Sequence, residues 1–123
     1  MKRLLLVEDH VVFREALATI FESETDLEPS AQAGSVAECR CRVGKLEGID
    51  VAIVDLSLPD GNGKDLVREL SEAGDGIPVL VLTEARDRDR YAEVLGAGAG
   101  EVLTKDISVD EIIARARRLA EGD

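Results

Sequence analysis

Leu4-Leu5-Leu6-Val7-Glu8-Asp9-His10 (LLLVEDH) runs four apolar residues straight into two acids and a histidine. An uninterrupted apolar run, as opposed to an alternating one, suits a strand covered on both faces, and such strands build parallel sheets flanked by helices. Two adjacent acids at the end of such a strand raise three readings: a helix cap, a metal site, or part of a catalytic triad with His10.

The same strand-then-helix pattern recurs along the chain. Arg3–Val7 reads as a strand, and Val11–Ser23 as a helix with Phe13, Leu17, Ile20 and Phe21 on one stripe. Leu27–Ser35 is a weak strand whose Pro29 confines it to a sheet edge. Ser35–Glu47 is helical, opened by a Ser35/Glu38 capping-box pattern. Asp50–Val54 is a strand, and Gly63–Gly74 a helix that stops at its final glycine. Ile77–Thr83 (strand), Asp87–Gly98 (helix), Gly100–Thr104 (short strand) and Ser108–Gly122 (helix) follow, with Ser108 and Glu111 as a second capping box. Strict alternation predicts an α/β domain with a parallel sheet and helices on both faces.

Composition agrees with one domain over residues 1–123. The chain is long enough to bury a core without disulfides, and 45% of it is apolar. No apolar run approaches the ~20 residues of a membrane span, and the N-terminal apolar run is too short for a signal peptide. These features predict a cytoplasmic protein with no membrane partner. A net charge of −11, from 15 basic and 26 acidic residues, argues against this domain itself gripping nucleic acid. Cys39 and Cys41 lack the spacing of a redox motif or zinc knuckle. Cys39 shares a stripe with Val36, Val43 and Leu46 and is expected in the core; Cys41 is expected outside.

In open α/β sheets, ligands bind at the carboxyl ends of the strands, near the point where the winding reverses. Glu8 and Asp9 follow the first strand, Asp55 the third; Thr83 ends the fourth, and Thr104-Lys105 the fifth. Clustered carboxylates cannot all stay ionised without a counter-charge. Mg²⁺ suits a few carboxylates plus waters and a phosphate oxygen. A metal, a lysine and a hydroxyl around one carboxylate is apparatus for phosphoryl transfer, with Asp55 as the nucleophile.

This set, with the segment DLSLPDGNG (Asp55–Gly63), resembles the receiver domain of bacterial two-component response regulators over essentially the whole chain. VEDHVVFREAL (Val7–Leu17) and LTKD (Leu103–Asp106) resemble the NarL/LuxR subfamily. The resemblance implies a three-layer, doubly wound (βα)5 flavodoxin-like fold with strand order 2-1-3-4-5. It implies that Asp55 accepts a phosphoryl group from a sensor histidine kinase. It implies Mg²⁺ held by Glu8, Asp9, Asp55 and the Ser57 backbone carbonyl. Lys105 would pair with Asp55, and Thr83 would switch the face formed by helix four, strand five and helix five, promoting a homodimer. A C-terminal helix-turn-helix domain would then bind DNA, this chain being the N-terminal part of a longer regulator. The protein is thus expected to be a signalling switch, not a turnover enzyme.

Three positions depart from the family. Glu84 replaces the small residue common after the switch threonine, and it either adds charge beside the site or points into solvent. Val102 stands where the switch aromatic is usual; Tyr91 is a half-buried helix residue rather than its replacement. Asp106 replaces a common proline after Lys105, so a cis bond there would be a costly non-proline one.

Several features mislead. His10 has no nucleophilic serine or cysteine motif to serve. GNGK (Gly61–Lys64) lacks the first glycine of a P-loop, Leu58 standing there, and the Ser/Thr, replaced by Asp65. Gly96–Gly100 follows a helix, the reverse of a dinucleotide fingerprint. Asp9 as a plain N-cap of the first helix is compatible with metal binding. Two other functions compete: a phosphorylation-independent dimerisation or docking module, suggested by Glu84 and Val102, and a haloacid-dehalogenase-like phosphatase. The phosphatase needs a second acid where this chain has Ser57.

Overall fold

The computed structural model describes residues 1–43, 48–61, 63–73, 76–84 and 88–122. Five strands alternate with five helices: β1 (Lys2–Val7), α1 (Val11–Glu22), β2 (Leu27–Ala33), α2 (Val36–Val43), β3 (Val51–Asp55), α3 (Gly63–Glu72), β4 (Val79–Thr83), α4 (Arg88–Gly96), β5 (Glu101–Thr104) and α5 (Val109–Ala120). All strands are parallel, in the order β2-β1-β3-β4-β5. The expected doubly wound flavodoxin-like architecture and the expected edge position of β2 are both observed.

Period-two alternation sorts the strand residues into two cores. Leu4, Leu6, Val51, Ile53, Leu80 and Leu82 pack with Leu17 and Phe21 of α1 and with Ile112 and Ala116 of α5. Leu5, Val7, Ala52, Val54, Val79 and Val81 pack against Val36 and Cys39 of α2, Leu66, Val67 and Leu70 of α3, and Val94 of α4. Both faces of β1, β3 and β4 are therefore apolar, which is why their sequences do not alternate. Cys39 is buried and Cys41 exposed, as expected.

Chain-specific chemistry trims the expected ends. Asp50 precedes β3 instead of starting it, because its carboxylate accepts the Arg3 N–H at 2.8 Å. β4 begins after Pro78, which has no N–H to give a ladder. The β1–β2 register slips between Leu4, opposite Pro29, and Leu5, opposite Ala31, so Ser30 bulges out of the edge strand. The expected helix stop at Gly74 and the start at Asp87 lie outside the described residues, as do Leu46 and the Val43 side chain on the α2 stripe.

Both capping boxes form by half. Ser35 Oγ accepts the Glu38 N–H at 3.1 Å and Ser108 Oγ the Glu111 N–H at 3.3 Å. The glutamates turn outward instead, Glu38 to Arg42 and Glu111 to Arg115. The described peptide bonds are all trans, including that between Lys105 and Asp106.

Candidate functional site

The parallel register brings the carboxyl ends of the central strands level. Val7 pairs with Val54 and Asp55 with Leu82, so Glu8, Asp55 and Thr83 stand side by side. Among the described residues these three are the only buried polar or charged ones, at 4%, 3% and 1% exposure. Burying such groups is costly unless they are paired or held for a purpose.

Lys105 ties the cluster together. Its Nζ donates to Glu8 Oε1 at 3.1 Å and to Asp55 Oδ2 at 3.2 Å. The ammonium also lies 5.1 Å from the centroid of the Phe13 ring, a cation–π distance. The Lys105 backbone N–H donates to the Thr83 carbonyl at 3.0 Å, carrying the β4–β5 pairing one residue further. Asp55 Oδ1 accepts the Ser57 N–H at 3.1 Å, which orients the carboxylate from the loop that follows β3.

That loop is shaped by Gly63. A Cβ at this position would lie 2.6 Å from the Leu56 carbonyl oxygen, so only glycine lets α3 start so close to the residue after Asp55.

Exposed Asp9 completes the acidic group: one carboxylate oxygen from each of Glu8, Asp9 and Asp55 lies within 4.8 Å of the others. Two of these three carboxylates, Glu8 and Asp55, share the Lys105 ammonium. Burial, and then the charge of Asp55, push the Glu8 carboxyl up to about 7, although Lys105 pulls against them. Burial works to lower the Lys105 pKa, but its bonds and charges with Glu8 and Asp55 hold it above the ordinary lysine value. Two buried oxygens, Glu8 Oε2 and Thr83 Oγ1, have no hydrogen-bond partner. An acceptor and a hydroxyl left open beside excess negative charge fit a hard divalent cation and an incoming oxyanion.

The structure therefore gathers Glu8, Asp9, Asp55 and Lys105 and sets Thr83 beside them. Glu84 is exposed and outside the carboxylate group. Ser57 contributes a backbone N–H to Asp55. Val102 and Tyr91 are half-buried. Asp9 is not the cap of α1: His10 occupies that position without a side-chain cap bond, and Glu8 Oε1 accepts the His10 N–H at 3.3 Å. The buried acid, one residue earlier, reaches the helix start from below.

Three residues escaped the sequence reading. Phe13 showed only as a stripe residue, yet it underlies Lys105. Arg14 had no visible partner, and its Nη1 donates to the Glu8 carbonyl at 2.7 Å. Asp60 lay within the DLSLPDGNG segment with no sign that it reaches α2, whose Val36 N–H it binds at 2.7 Å.

The chain is similar to known proteins over nearly its whole length. The family model described as "Response regulator receiver domain" matches residues 4–117. The chain is 34% identical over 122 residues to the DNA-binding transcriptional activator DevR/DosR of Mycobacterium tuberculosis, covering 99% of this chain and 56% of that protein. It is 33% identical over 120 residues to the virulence transcriptional regulatory protein PhoP of Salmonella typhimurium, covering 97% and 52%. It thus spans about half the length of these curated relatives. The receiver domain of the putative response regulator NarL of M. tuberculosis superimposes with a TM-score of 0.88 at 22% identity, covering 99% of this chain and 98% of that one, a likeness of fold. With that match over nearly its whole length, the chain belongs to the response regulator receiver domain family.

Proposed function

We propose that this domain is a phosphoryl-accepting switch of a two-component regulator, with Asp55 as the acceptor. The observation that carries the reading is the buried trio Glu8, Asp55 and Thr83 around Lys105, with two buried oxygens left open. Glu8, Asp9 and Asp55 would hold Mg²⁺, joined by the Ser57 carbonyl as the family resemblance implies. Bound there, the ion supplies positive charge to the transferring phosphoryl oxygens.

The chain's own groups divide the remaining work. An Asp55 carboxylate oxygen attacks phosphorus of a kinase phosphohistidine. The N–P bond breaks, and its electron pair leaves on the imidazole nitrogen. Lys105 holds Asp55 beforehand and faces the new negative charge afterwards. Thr83 Oγ1, a hydroxyl without an acceptor, donates to a phosphoryl oxygen. That draws β4 toward the site and biases the face of α4, β5 and α5. A coupling of ~1–3 kcal/mol is enough to shift such a two-state balance usefully.

The wider setting is proposed on the relatives: a cytoplasmic regulator with a sensor kinase upstream, dimerisation on activation, and a transcriptional output through a DNA-binding domain. Val7–Leu17 and Leu103–Asp106 support the NarL/LuxR subfamily; similar identity to DevR/DosR and PhoP leaves that assignment resting on the motifs. Exposed Glu84 weakens one of the two reasons for a docking-only module, the other being Val102.

Incubation with Mg²⁺ and acetyl phosphate, followed by intact-mass measurement, tests the reading. One phosphoryl adduct is expected, absent in Asp55→Asn. An adduct that persists in Asp55→Asn, or none on the native chain, overturns it.

A further inference from the structure

Arg14 is half-buried in the first turn of α1, and its partners are unusual. Nη1 donates to the backbone carbonyl of Glu8 at 2.7 Å, a short charge-assisted bond. Its Nε is buried with no partner at all. A fold that leaves a guanidinium nitrogen unsatisfied gives up stability to hold the group where it is.

Gly34, just beyond β2, supplies an independent observation. A Cβ there would lie 2.8 Å from Arg14 Nη1, while the Glu8 carbonyl oxygen would be 3.9 Å away. Gly34 does not have a positive φ, so its backbone makes no demand for glycine. Space for the guanidinium is what a side chain at 34 would remove.

The Glu8 backbone is then gripped at both ends. Its N–H donates to the Ala33 carbonyl at 2.9 Å, and its own carbonyl accepts from Arg14. Because the peptide unit is planar, holding the Glu8 carbonyl also holds the Asp9 amide and the direction in which Asp9 leaves the strand. Asp9 is exposed, so burial does not fix its direction.

We propose that Arg14 is a positioning residue for the acidic site: seated over the bare Cα of Gly34, it clamps the Glu8–Asp9 peptide and so sets the Asp9 carboxylate against Asp55. This rests on the reading of that site as a Mg²⁺ site. Arg14 touches neither ion nor phosphoryl group; it acts through the main chain, as outer-shell partners of metal ligands do.

Calorimetric titration of the whole domain with Mg²⁺ tests it, alongside thermal unfolding of the same samples. Arg14→Met is expected to weaken Mg²⁺ binding roughly tenfold, the low end for lost outer-shell partners. Arg14→Lys, which keeps a donor, recovers part of that loss. Gly34→Ala weakens binding in the native chain but has no further effect in the Arg14→Met background, because the group it displaces is gone. A merely structural role would lower the unfolding temperature while the folded protein kept its Mg²⁺ affinity. Unchanged affinity in Arg14→Met, or full additivity of the two substitutions, overturns the proposal. If Arg14→Met does not fold, Gly34→Ala and Arg14→Lys decide it: native affinity in both overturns it. A native chain that binds no Mg²⁺ overturns the site reading itself and this inference with it.

Discussion

Asp60 and Val36 stand 24 residues apart, and an Asp60 carboxylate oxygen accepts the Val36 backbone N–H at 2.7 Å while the other accepts that of Ala37 at 3.1 Å. The loop that leaves Asp55 is therefore also the cap of α2. Asp60→Ala should loosen both, with faster amide exchange at Val36 and Ala37; Asp60→Asn should keep part of the protection. The two N–H groups hold the Asp60 carboxyl below its ordinary 3.8. Its contribution is thus present above the unfolded-state value and lost as pH falls through the lower folded one. Exchange rates at the two amides that are unchanged in Asp60→Ala would count against the cap.

Glu8 should give the metal-free domain an inverted pH dependence. Its carboxyl is raised from 4.5 to about 7 in the fold, so the folded state binds the extra proton. That contribution is complete below the unfolded value and is lost as pH rises through the folded one, so stability falls across this window. Glu8→Gln should stabilise the metal-free protein at pH 8, by on the order of 1–3 kcal/mol, and scarcely at pH 4. Mg²⁺ should stabilise the native chain more at pH 8 than at pH 5. Urea unfolding with and without the ion reads both; a Glu8→Gln gain that is the same at each pH would disprove the assignment.

Thr83→Val should separate stability from signalling. The buried hydroxyl has no partner, so its replacement by a methyl should leave the resting domain as stable or about 1 kcal/mol more so. The amide-spectrum change that beryllofluoride produces around α4 and β5 should shrink. A full-sized response in Thr83→Val would remove Thr83 from the switch.

Phe13→Leu keeps the α1 stripe apolar and removes the ring beneath Lys105. The lost cation–π contact, about 0.5–1 kcal/mol at a partly exposed site, should slow phosphorylation by acetyl phosphate a few-fold. Mg²⁺ affinity should stay the same. Equal rates would mean the ring is packing only.

Gly63→Ala should be severe for so small a change. The added carbon would meet the Leu56 carbonyl at 2.6 Å, and relief requires the loop after Asp55 to move. Overpacking of this kind costs about 1–3 kcal/mol, measurable by urea unfolding, and should also lower the phosphoryl adduct yield. Native stability in this variant would show that α3 can shift freely.

The strands were legible because continuous apolar runs such as Leu4–Val7 and Val79–Thr83 admit few other uses, whereas their order came from the family resemblance, Pro29 alone marking β2 as an edge. The acidic edge was legible for a related reason: Glu8, Asp9, Asp55 and Lys105 all end strands or lie within two residues of a strand end, and parallel strands end together. What could not be read were contacts made by a side chain of one segment with the backbone of another. Asp60 on α2 and Arg14 on the Glu8 carbonyl leave no period or spacing in the sequence. Asp9 as the α1 cap was a local reading, and the start of the helix is in fact met by Glu8 from the strand end. Phe13 was placed correctly on its stripe, but a stripe does not say that a lysine from the far end of the chain will lie over one ring.

The slip in register at Pro29 and Ser30 has a consequence for how copies of this domain can meet. A sheet edge with an unbroken row of free N–H and C=O groups invites a foreign strand, and proteins blunt that hazard with prolines, bulges, charges and short strands. Here the β2 edge carries both a proline and a bulge, and the opposite edge, β5, is four residues long and begins with Glu101. Neither border offers a long template for growth into a continuous fibre. Both borders are thus built against the addition of a foreign strand.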